Sequence, residues 1–167
     1  WSKSEEWVYF YHWKLARAAG AWGLRTCGAH DWYPETAAVL LARQRSDGGW
    51  AEPALHASAE AKSDVVRTCF ALLTLLRGGA PIALNRLDGG DLDQDHPLDA
   101  ANFAAWMSAG QSQAVGWQRV EMKSVSSALL GEAPVLYIPA SAQTDFAALP
   151  APALGDYVLN GGTILVS

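Results

Sequence analysis

The sequence predicts a mixed fold: an all-helical part over residues 1–79, then an α/β part with a parallel sheet over residues 80–167. Three observations carry this. Helix caps and a 3.6-residue apolar period fill the first part. Short apolar runs alternate with helical stretches in the second. Charge also changes at the boundary: residues up to Ala80 hold nine Lys/Arg against eight Asp/Glu, and the remainder hold three against nine. Six of the eight tryptophans precede residue 51, so the aromatic weight lies on the same side of that boundary.

The first helix is expected from Ser4, an N-cap hydroxyl followed by Glu5 and Glu6 at the positive end of the helix dipole, to about Ala19. Its aromatics Trp7, Tyr9, Phe10, Tyr11 and Trp13 point in nearly every direction, which predicts burial on several sides. A second helix follows Asp31, with Pro34 in its first turn, where a missing N–H does no harm. A third starts near Ser63 or Asp64, carries Val66, Cys69, Phe70, Leu73 and Leu76 on one stripe, and stops at Gly78-Gly79 and Pro81.

Gln44-Arg45-Ser46-Asp47-Gly48-Gly49-Trp50 lies between the second and third helices. A Gln at a helix end can bond exposed backbone groups of a neighbouring helix, the glycines permit a tight turn, and the Trp can fold back over the Gln. Gln44, Gly48 and Trp50 thus form a structural brace with no catalytic role. The run resembles the Q-x3-G-x-W repeat of squalene–hopene cyclases and related prenyltransferase-like α/α-toroid proteins. The stretch from Gly23 to Tyr33 resembles bacterial proteins, planctomycete-type among them, in which cyclase-like repeats precede an α/β domain of unknown function. The resemblance implies that residues 1–79 are α/α toroid repeats and that the chain is a fragment. The opening Trp1-Ser2-Lys3 and the closing apolar run 163–166 fit that expectation.

In the second part, residues 81–87, 115–122, 135–138 and 163–166 read as strands, and residues 97–109, 124–130 and 153–160 as helices. The order βαβαβαβ with continuous apolar strands predicts a parallel sheet covered on both faces. Residues 132–167 resemble the opening of a flavodoxin-like, glutamine-amidotransferase-like domain, which implies that 80–167 is the first half of such a domain. Ligands of such sheets sit beyond the carboxyl ends of the strands, here the loops 88–96 and 140–145. Asn85 near the end of the first strand, and Asp91, Asp93, Asp95 and Ser141 in those loops, are the candidate ligand-binding residues.

Several residues invite sharper chemistry. Asp91-Leu92-Asp93-Gln94-Asp95 is near the D-x-D-D acid motif of hopene-forming cyclases, but Gln94 stands at the fourth position and the run falls in the α/β part. As a calcium loop it has His96 in place of the required Gly and Asn102 in place of the bidentate Glu, so a solvated acidic loop is the preferred reading. Cys27, His30 and Asp31 lack a metal-type spacing; Asp31 is better read as a helix cap. An amidotransferase needs a nucleophilic Cys on a strand–helix turn, and no Cys follows residue 69; Ser141 at a strand end is followed by no His. The aromatic first helix suits a wall for an isoprenoid carbocation, yet core packing explains the same residues.

No catalytic residue, metal or cofactor is therefore assigned. No run approaches the roughly 18 apolar residues of a membrane span, and the net charge of −5 argues against nucleic acid. The expectation is a non-catalytic binding or assembly module on a toroid scaffold, with a small-molecule or protein partner. The alternative is a fragment of a cyclase- or prenyltransferase-like enzyme acting on an isoprenoid, its catalytic motif lying outside this segment.

Overall fold

The computed structural model describes residues 7–51, 60–92, 95–111 and 113–167, with the backbone alone for 60–63. It is an α/β fold whose chain divides into two compact units. One runs up to Gly20 and from Arg25 to Gly79; the other joins Ala21–Leu24 to Ala80–Ser167.

The first unit contains α1 (Val8–Trp22) as far as Gly20, a ribbon of β1 (Thr26–Cys27) and β2 (His30–Asp31), α2 (Trp32–Ala42) and α3 (Glu60–Gly78). The ribbon pairs antiparallel across Gly28-Ala29, and the positive φ of Gly28 at the first turn position suits a tight two-residue hairpin. Three helices and a ribbon are not a ring of repeated helix pairs. The expected all-α toroid over residues 1–79 is therefore corrected: no toroid repeat occurs among the described residues. The Ser4 cap and the Ser63 side chain lie outside them.

Within this unit α1 buries Val8, Tyr9, His12, Ala16 and Ala19, while Trp7 and Trp22 stay more than half exposed at 57% and 53%. Burial all round the helix is thus not found. Phe10 and Trp13 meet Phe70 of α3 at centroid distances of 5.6 and 4.9 Å. Gly78 lies under the Tyr33 ring, which leaves no room for a Cβ, and this close approach rather than any special φ requires glycine.

The Gln44–Trp50 loop braces α2 against α3 by a route partly different from the expected one. Trp50 is 2% exposed; its indole N–H donates to the Leu40 carbonyl of α2 at 2.7 Å, and its backbone N–H donates to Thr68 Oγ1 of α3 at 3.0 Å. Gln44 is exposed and closes its own loop, donating to the Gly48 carbonyl at 2.9 Å. No neighbouring helix receives it, and Trp50 does not cover it. Gly48, with φ of 84°, makes the turn.

The second unit is a four-stranded parallel sheet in the order β4 (Gly116–Glu121), β3 (Ile82–Asp88), β5 (Val135–Ile138), β6 (Thr163–Val166). Helix α4 (Asp99–Gly110) covers one face, where Ala100 and Ala104 pack on Leu84 and Trp117. The small alanines let the helix approach closely. On the other face α5 (Ser127–Leu130) and α6 (Ala151–Leu159) bury Leu130 and Tyr157 against Leu87, Val120, Leu136 and Ile138. From the central β3 the chain crosses to β4 on one side, then returns past β3 to β5 on the other. That reversal opens the carboxyl edge of the sheet as the place for a site.

Candidate functional site

Beyond the carboxyl ends of β3 and β4 lies an open groove of about 560 Å³, lined by Asp88, Gly89, Gly90, Glu121, Met122 and Lys123. Gly89 and Gly90, with φ of 109° and 61°, turn the chain off β3, and β4 runs into a 3-10 turn at Met122–Ser124. The Met122 side chain packs over Gly90 and floors the groove with apolar surface.

Behind the groove wall sits a charge network. Arg86, Arg119 and Tyr137 are register partners on β3, β4 and β5, so their side chains share one sheet face. The Arg86 side chain is wholly buried; its Nε donates to Asp99 Oδ1 at 3.0 Å and its Nη1 to Asp88 Oδ1 at 3.4 Å. Arg119 Nη2 reaches Asp88 Oδ2 at 2.5 Å. Asp99 opens α4 and also accepts the Ala100 N–H at 2.6 Å, while its Oδ2 is buried without a hydrogen-bond partner. Two guanidiniums and two carboxylates cancel. Arg86 is the one wholly buried member and the one that bridges both carboxylates, so its removal unbalances the network most. Near this network, the Tyr137 hydroxyl meets Ser167 Oγ at 2.8 Å. Burial pushes the Tyr137 phenol above its ordinary value, the Ser167 bond opposes that, and the Asp99 carboxylate adds to it.

The structure brings only some of the predicted residues together. Asn85 is not in a loop: it lies within β3, fully buried, where its amide donates to the Leu130 carbonyl at 2.8 Å and accepts from Gln118 Nε2 at 2.9 Å. Its polar atoms tie β3 to β4 and α5. Asp91 and Ser141 do meet, through the Asp91 main chain, whose carbonyl accepts from Ser141 Oγ at 3.2 Å and from Thr144 Oγ1 at 3.1 Å. Ser141 Oγ also accepts the Gln143 N–H at 3.2 Å, so the hydroxyl ties two loops together. Asp95 is exposed, and Asp93 lies outside the described residues. No group of three metal-ligating side chains occurs among the described residues. His30 pairs with Glu35 at 3.0 Å, and Asp31 reaches Arg25 at 3.6 Å in place of capping α2.

Sequence reasoning missed Arg86, Asp99, Arg119, Glu121 and Lys123. One signal was there: arginines at matching positions inside two apolar strands, each followed two residues on by an acid, Arg86/Asp88 and Arg119/Glu121. In a sheet covered on both faces such residues must be paired or lie at an edge.

No protein family, no curated protein and no solved structure matches this chain. The resemblances to squalene-cyclase and prenyltransferase repeats and to a flavodoxin-like or amidotransferase-like domain are accordingly withdrawn, and with them the reading of the chain as a fragment of a toroid-repeat protein. A seven-residue loop and one βα pattern are short enough to arise wherever two helices, or a strand and a helix, need the same turn. Among the described residues, no helix is long and apolar enough to cross a membrane.

Proposed function

We propose that the chain is a non-catalytic binding module that takes a small ligand in the groove at the carboxyl edge of its parallel sheet. The observation that carries this is the groove's place: it lies beyond the carboxyl ends of β3 and β4, the edge of the sheet at which open α/β folds hold ligands, and it is of ligand size. A non-catalytic role is supported by the lining of the groove, which among the described residues includes no Ser, Thr, Cys or His side chain. Ser141 is held in a loop turn, His12 shares a hydrogen bond with Thr36 at 3.1 Å, and His30 is paired with Glu35.

The test is a screen of a small-fragment library by amide chemical shifts in ¹⁵N-labelled protein. Binding reads as saturable shifts concentrated at residues 88–90 and 121–123. Saturable shifts elsewhere with none at these residues would overturn the proposal, as would turnover of a hydrolysable substrate abolished by Ser141→Ala.

A further inference from the structure

The ionisable side chains in and behind the groove fall into two sets. Arg86, Asp88, Asp99 and Arg119 bind one another. Glu121 and Lys123, both exposed and two residues apart on the rim, have no hydrogen-bond or ion-pair partner among the described residues. Each set sums to zero charge. A phosphate entering the groove would face the carboxylates of Asp88 and Glu121; a bare cation would face Lys123 with two guanidiniums behind the wall. The arrangement suits a ligand carrying both signs.

We infer that the groove takes a small zwitterion, a free α-amino acid with an apolar side chain; the inference rests on the groove being a ligand site. The ligand ammonium meets Glu121 and the unused lone pairs of Asp88. Each Asp88 oxygen receives one guanidinium nitrogen, and an ionised carboxylate offers about four lone-pair sites, so acceptor capacity remains. The ligand carboxylate meets the Lys123 ammonium, a mobile point charge on a flexible stem. Its side chain lies on Met122, whose thioether adapts to varied apolar shapes.

The experiment titrates ¹⁵N-labelled protein with L-leucine, and separately with methylamine, acetate and inorganic phosphate. The expected result is saturation by leucine at residues 88–90 and 121–123, at least about tenfold tighter than by methylamine or acetate, because two charge-assisted contacts act together in one ligand. Glu121→Gln and Lys123→Gln each weaken leucine by about fivefold or more and leave the thermal midpoint unchanged, since both side chains are exposed. Leucine no tighter than the half-ligands, or phosphate saturating the same residues, overturns the zwitterion and leaves the groove as a ligand site. No saturable shift at these residues with any of the four probes, and none from the fragment library, removes both.

Discussion

The two units solve the problem of buried polarity in opposite ways. In the unit built on α1, α2 and α3, the buried polar side chains among the described residues are His12, Thr36 and Thr74: His12 bonds Thr36, and Thr74 bonds back to the Phe70 carbonyl of its own helix. In the sheet unit the central strand buries Asn85 and Arg86 side by side, and each belongs to a network that crosses strands. A lone polar group needs a local partner, and a side chain of the next helix or a carbonyl of its own helix supplies it. A buried guanidinium needs several, and here they come from Asp88 at the end of its own strand and Asp99 at the start of α4. The contrast teaches where to look for function: the helical unit's motif is spent on bracing, while the sheet unit holds charge that simple packing would not require.

That comparison breaks most sharply at Arg86. Arg86→Ala leaves Asp88 and Asp99 without their shared counter-charge and should cost about 3–5 kcal/mol in urea denaturation. A loss under about 1 kcal/mol would mean the network is no more than a solvated surface cluster. Trp50→Phe tests the other side. The ring is largely retained but the indole bond to the Leu40 carbonyl is lost; that oxygen keeps the Arg43 N–H, so the cost is that of one hydrogen bond, about 0.5–1.5 kcal/mol. Gln44→Ala should cost at most about 0.5 kcal/mol, because the side chain is exposed and bonds only within its own loop. Equal losses at Gln44 and Trp50 would restore the Gln as a partner in the brace.

The smallest effect is a pH dependence of the helical unit. Burial, with the Arg43 charge adding to it, holds the His12 imidazole below its ordinary value of 6.5. The unfolded chain therefore binds the proton more readily than the folded one. Stability from this group is present above pH 6.5 and is lost as pH falls through the folded value. Denaturant midpoints followed from pH 7.5 down to about 5 should fall, and His12→Gln should flatten that part of the curve. An unchanged slope in the variant would assign the dependence to other groups.

Much of the local structure was legible in the sequence. Pro34 inside the first turn of α2, Gly78-Gly79 ending α3, and prolines flanking β5 mark boundaries through backbone geometry alone, and the structure places its elements within a few residues of them. The ribbon of β1 and β2 was missed because two residues per strand show no period; only its Gly28 turn could have flagged it. The larger assembly was misread for a different reason. Gln44-x3-Gly48-x-Trp50 reports how one loop joins two helices, and a single loop carries no information on how many helix pairs a chain stacks. The site was half legible. The loop after β3 was found from the strand end and supplies Asp88, Gly89 and Gly90 to the groove, but the other half comes from the end of β4, whereas Ser141 and Thr144 after β5 bond the Asp91 main chain and hold loops together. Which strands neighbour β3 depends on long-range pairing that no local pattern encodes.

Both units carry exposed apolar surface, most plainly on α3, where Val65, Leu72, Leu73 and Leu76 are 63%, 46%, 49% and 71% exposed. Their exposure sets a fair competitor to the groove, because apolar patches attract small apolar probes without any built site. Amide shifts from one leucine titration decide between them on the same sample. Binding in the groove gives saturable shifts at residues 88–90 and 121–123, lost in Glu121→Gln, with residues 44–50 and 65–76 unmoved. Shifts confined to the α3 stripe, or unaltered by Glu121→Gln, would contradict it.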